Sequence, residues 1–263
     1  MLYTVTMVPL LQRHSYTASM QLALWVAMVS IVFQQFDDFM MPHFTLNFLT
    51  IAGMGVAVVM YWIPTLRYLS VAAFMAALAV SFGKDWYAAA NHTWLAVWTL
   101  VPVVLFARWW EEEWYLHYIR LTLGVVMIAA ALQKIIAGTY FDGSYIAWMN
   151  NYGSTTETMF SFLCAPGEVC GWYALLGATS VIWQFVVGLF LLAGWKNLYI
   201  LTVEVAFLLT VGLFADEMNF QVLNIALLCM AFRFGMPHWL AYICLVFLGL
   251  DLIGISDLVA TYL

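Results

Sequence analysis

The chain has 263 residues, 66% of them hydrophobic and 8% charged, with a formal net charge of -6. A soluble domain carries about 25% charged residues, so this composition is that of an integral membrane protein. The eight basic residues are dispersed along the chain, which argues against a nucleic-acid partner.

In chain order, Met1–Leu11 is apolar but too short to span a bilayer, and Arg13 and His14 follow it. Residues 1–16 therefore read as a surface segment rather than a cleaved signal, and no lipidation motif stands at either end. Apolar runs of about 17–25 residues mark membrane spans. Nine are expected, over 17–36, 45–63, 67–83, 93–108, 114–138, 170–194, 197–215, 218–233 and 237–260, the third and fourth being short. Short polar breaks such as GKDWYAAANH, RWWEEEW and GWKN separate them, and residues 139–169 form one long connection. With no internal repeat or linker, the chain reads as a single all-α domain over 1–263, a polytopic transmembrane helical bundle.

The basic residues set an expected orientation. A cytoplasmic N-terminus places Arg13, Arg67, Arg108, Lys196 and Arg233 in the inner loops and leaves Lys84 outside, which obeys the positive-inside rule. The long connection is then an outer one. Asp37, Asp38, His43, Asp85, His92, Asp142, Asp216 and Glu217 lie on the same outer side. The acids Glu111–Glu113, set among Trp109, Trp110 and Trp114, read as a solvated inner turn within an interfacial aromatic belt.

Two cations, Arg120 and Lys134, interrupt the fifth apolar run. An intramembrane Arg or Lys costs about 2.5–3.5 kcal/mol on insertion scales, so it is either paired inside the protein or extended to a surface. Lys134 falls roughly 30 Å from the inner end of its helix, at the outer edge of the hydrocarbon. Arg120, fourteen residues earlier, projects within about 40° of the same direction. Intramembrane acids offer partners. Asp251 or the pair Asp216 and Glu217 suit Lys134 by depth, and Glu204 is left for Arg120 or another hydrogen-bond partner. A desolvated lysine could also serve as a general base.

No metal site is expected, because the five His residues carry no ligand spacing. His43 and His92 could meet only across the outer face, beside Asp37 and Asp38. Cys229 and Cys244 fall within spans and read as small apolar residues. Cys164 and Cys170, in CAPGEVC, flank a Pro-Gly turn in the outer connection, where an oxidising compartment permits a disulfide.

The stretch AALQKIIAGTYFDGSYIAW resembles a pattern of the HTTM superfamily, which includes vitamin K-dependent γ-carboxylase. In it a small-residue/Lys step ends an apolar helix and an aromatic and a glycine follow. The matching positions are Ala130 or Ala131, Lys134, Tyr140 or Phe141, and Gly143. EVAFLLTVGLFADEMNFQVLNIALL looks like the downstream helix pair, and DoxX-like membrane proteins share a weaker likeness. The resemblance covers roughly 114–233. It implies that Lys134 acts as the base toward a hydroquinone, with Tyr140 and Phe141 as an apolar wall. The motif's usual Trp is replaced here by Tyr140 and Phe141. Leu263 lies just past the last expected helix, so protein γ-carboxylation is not expected of this chain alone.

Two functional expectations follow. In one, the bundle binds a quinone or another lipid-soluble ring compound near the outer leaflet, with Lys134 as base or anchor and Arg120, Tyr140, Phe141, Glu204, Asp216, Glu217 and Asp251 as candidate ligand-binding residues. In the other, it is a non-catalytic accessory subunit of a larger membrane complex, surrounded by lipid, and its charges are internal pairs. A bacterial inner membrane or its equivalent is the expected location.

Overall fold

The computed structural model describes residues 10–37, 44–84, 91–105, 113–152, 164, 168–215 and 217–252. Among them are ten helices: α1 (Leu10–Asp37), α2 (Phe44–Met60), α3 (Arg67–Lys84), α4 (Asn91–Leu105), α5 (Glu113–Ala137), α6 (Ser144–Tyr152), α7 (Gly171–Ala193), α8 (Leu198–Ala215), α9 (Met218–Ala231) and α10 (His238–Leu252). No strand occurs among the described residues. Each expected apolar run coincides with a helix. Three helices are long and apolar enough to cross a membrane: α1 over Ala18–Gln35, α5 and α7. The apolar parts of α2, α3, α4, α8, α9 and α10 are shorter.

Two boundaries differ from expectation. α1 begins at Leu10, inside the segment read as a surface strip. Pro9 immediately precedes a run of good helix formers, and proline favours a helix start. The long connection also holds a helix of its own, α6. Asp142 nucleates it by accepting hydrogen bonds from the Ser144 N–H (2.8 Å) and Oγ–H (2.6 Å). Those two bonds hold the exposed Asp142 carboxyl below the ordinary carboxylate range.

The centre of the bundle is α1 against α9. Every α9 residue from Gln221 to Ala231 is buried, so over this stretch the helix has no outward-facing side. In α1 72% of the apolar window is buried, against 28% in α5 and in α7, which places α1 inside and the other two at the periphery. Around this pair, α2 packs on α3, α3 on α4, α8 and α5 on α9, α10 on α1, and α7 on α5.

Polar ties close one end of the bundle. The Tyr61 hydroxyl donates to the Gln21 carbonyl (3.1 Å), and Arg67 lies over the Tyr61 ring (5.4 Å to its centroid). The Met236 N–H donates to the Ser19 carbonyl (3.2 Å), and Arg233 forms an ion pair with Glu113. At the other end Ser81 bonds Gln35. α1 thus runs from a first end, shared with the 61–67 and 232–237 turns, to a second.

Cys164 and Cys170 are joined by a disulfide, with Cα atoms 6.3 Å apart. Ala147, Cys164 and Tyr173 form a small core beside it, separate from the main one. Cys229 and Cys244 are buried free thiols. Denatured, unreduced protein is therefore expected to titrate two thiols, and a count of four would exclude the bridge.

Candidate functional site

α5 and α7 meet through glycines. A Cβ on Gly124 would lie 3.2 Å from the Gly188 carbonyl, and one on Gly188 would lie 3.1 Å from the Gly124 carbonyl. Small residues let backbones approach this closely, as in membrane helix pairs. The contact sets an antiparallel register that brings the Lys134 Cα level with Ala178, roughly one and a half turns from Gln184. Helical side chains lean toward their own N-terminus. Lys134 therefore leans back along α5 and Gln184 leans the opposite way along α7. They meet: Lys134 Nζ donates to Gln184 Oε1 at 2.9 Å. The ammonium is turned into the bundle and not out to solvent.

The turn after α5 closes over it. Lys134 Nζ sits 5.1 Å from the centre of the Tyr140 ring, within cation–π range. Tyr140 stacks on Tyr145 (centroids 4.2 Å apart, planes 23° apart), and Tyr145 leans on Trp148 at 5.9 Å. Burial, and then the contact with Tyr145, pushes the Tyr140 hydroxyl above its ordinary value, so it stays a neutral phenol. Phe141 is exposed beside this stack. The turn is seated on α7 at Gly177, where any Cβ would lie 2.1 Å from the Tyr140 carbonyl oxygen.

Of the acids considered for Lys134, Glu217 acts on it through space. The two do not close an ion pair, and Gln221 approaches Glu217 instead (Nε2 to Oε2, 3.5 Å). Asp251 is on α10, whose main neighbours are α1 and α9. The Asp216 side chain lies outside the described residues, as do those of Asp37, Asp38, His43 and His92.

Arg120 and Glu204 belong elsewhere. Arg120 Nη1 donates to the carbonyls of Leu191 and Leu192 (3.1 Å to the latter), and Nη2 faces His117 Nδ1 at 3.0 Å. It thereby caps the C-terminus of α7, beside Gly194 in the left-handed conformation (φ 74°). Glu204, buried on α8, accepts a hydrogen bond from Trp183 Nε1. Adjacent residues of α7 thus hold two ionisable groups on different helices: Gln184 holds Lys134 and Trp183 holds Glu204.

Sequence reasoning overlooked Gln184, Trp183, Gly177 and Tyr145. Gln184 had a signal, since it is the one amide within the apolar run of α7. Gly177 had none without the register. No group of three His, Cys, Asp or Glu residues converges among the described residues. Chemically, the arrangement offers one ammonium with a donor to spare, an amide that orients it, a carboxylate held at a distance and an aromatic wall. No family model, curated protein or solved structure matches the chain.

Proposed function

We propose that the chain is an HTTM-like, multi-pass membrane protein that binds a quinone or other lipid-soluble ring compound near the outer leaflet, with Lys134 as its polar anchor and candidate base. The observation that carries this reading is the inward-turned ammonium, fixed by Gln184 and Tyr140 rather than extended to water. A lysine kept inside a bundle with no ion-paired acid among the described residues holds a donor for an incoming oxygen. The stack of Tyr140, Tyr145 and Trp148 supplies a flat apolar surface of the kind that ring ligands use. Proton abstraction from a hydroquinone is the reaction that the resemblance implies for Lys134, and it belongs to this proposal.

The membrane topology is part of the same reading: nine spans, N-terminus inside, in a bacterial inner membrane or its equivalent. Its support is that the basic residues Arg67, Arg120 and Arg233 are tied to one end of the bundle, while Lys134 leans in from the other. Cysteines introduced singly near Lys196 should resist an impermeant reagent added from outside, and those near Asp142 should react. Labelling at Lys196 from outside would reverse the topology.

Gentle extraction followed by native mass spectrometry tests the ligand. Retention of a neutral ring compound supports the site. The second reading, an accessory subunit of a larger complex, is favoured by the broad exposed faces of α5 and α7, where Ile136, Val125, Ile182 and Leu175 stand outward. Recovery with neighbouring subunits and no bound ring compound would favour it.

A further inference from the structure

We infer that the inner ends of α5, α7 and α8 form a binding site for the phosphate of an anionic phospholipid. This inference goes beyond the Lys134 site and shares with that reading only the membrane-spanning fold. It begins with unspent donors. Arg120 commits both Nη1 hydrogens to the α7 carbonyls and one Nη2 hydrogen to His117, leaving Nε–H and a second Nη2–H. Among the described residues no acid forms an ion pair with this guanidinium, and Glu113 is taken by Arg233. The charge of Arg233 also reaches Arg120 through space.

A second cation stands close by. The α7–α8 turn runs past Arg120, with Nη1 2.9 Å from where a Cβ on Gly194 would be, and Lys196 is two residues further on. Lys196 is exposed and, among the described residues, makes no ion pair. The start of α8 adds the positive end of a helix dipole, capped by Asn197 Oδ1, which accepts from the N–H groups of Tyr199 (2.9 Å) and Ile200 (3.3 Å).

The surrounding side chains point to a lipid rather than a free anion. Trp195, Leu198 and Tyr199 are 62%, 59% and 74% exposed, and Trp195 is held edge-on against Phe190 at 4.8 Å. Exposed aromatics at this level form an interfacial belt, which packs on acyl chains while the neighbouring cations meet the headgroups. Arg120, capping the last carbonyls of α7, is placed at the depth of that boundary.

The test uses the full chain in nanodiscs of equal phosphatidylcholine and phosphatidylglycerol, with bound lipids read by native mass spectrometry. Wild-type protein should retain phosphatidylglycerol preferentially. Lys196→Gln, at a solvent-exposed position, should lower that preference about fivefold, the factor for one basic residue near an anionic surface. Lys196→Arg should preserve it. Arg120→Gln risks the α7 cap and is read only if its unfolding midpoint matches the wild type. Equal retention of both lipids, as expected if Glu111 and Glu112 cancelled the field, would overturn the inference. So would an unchanged preference in Lys196→Gln. Stabilisation of the detergent-solubilised chain by inorganic phosphate alone, equal to that by phosphatidylglycerol, would replace the lipid with a free-anion site.

Discussion

Lys134→Met is expected to abolish retention of the ring ligand, lowering it at least about tenfold, the equivalent of about 1.4 kcal/mol. Met keeps most of the aliphatic length, so the packing of α5 on α7 should survive. What disappears is the donor to Gln184 Oε1 and the cation above the Tyr140 ring. A half-buried amide oxygen left without its donor costs about 1–3 kcal/mol, and the cation–π contact adds about 0.5–2 kcal/mol. Stability should therefore fall by roughly 2 kcal/mol, since these terms overlap. Pairing the change with Gln184→Leu removes the orphaned acceptor and should restore part of the lost stability without restoring ligand retention. That split separates a binding role from a structural one. A Lys134→Met protein that keeps both its ligand and its unfolding midpoint would end the claim for this site.

Helix positions were legible because apolar runs and their polar breaks depend on local composition, and all nine runs became helices. Spanning length was less legible. α9 is only 14 residues long and buried on every side, so its apolar character reflects a central place in the protein as well as any contact with lipid. The site was half legible. Lys134 announced itself as a charge in an apolar run, but its orientation depends on the glycine-set register between α5 and α7. That register lies between segments over 50 residues apart in sequence, and no single run displays it. The same limit explains the acids. Depth along a helix suggested Asp251, whereas its helix packs mainly on α1 and α9. Arg120 resembled Lys134 in residue class and direction, yet it meets a helix terminus where Lys134 meets an amide. A residue count cannot distinguish those two partners.

Gly177→Ala should be the most damaging small substitution in the site. The added methyl carbon would stand 2.1 Å from the Tyr140 carbonyl oxygen and 2.9 Å from its carbonyl carbon. Neither atom is the free end of a flexible side chain, so the 138–143 turn must lift off α7 or α7 must move away from α5. Overpacking of this kind costs about 1–3 kcal/mol. The consequence reaches beyond stability, because the backbone that is displaced carries the ring above Lys134 and its stacked partner Tyr145. Ligand retention should thus fall further than the loss of stability accounts for. Gly171→Ala supplies the contrast on the same helix: its Cβ would meet nothing within 4 Å, so stability should hold or rise by about 0.4–1 kcal/mol. Gly188→Ala lies between them, since its nearest neighbour is the Ile128 side chain at 2.7 Å, which can rotate, although the Gly124 carbonyl lies behind it at 3.1 Å. Thermal unfolding and native mass spectrometry on the three variants should rank them Gly177, Gly188, Gly171 in order of damage. If Gly177→Ala proved as mild as Gly171→Ala, the Tyr140 turn would not be seated on α7, and the aromatic wall of the site would have no fixed support.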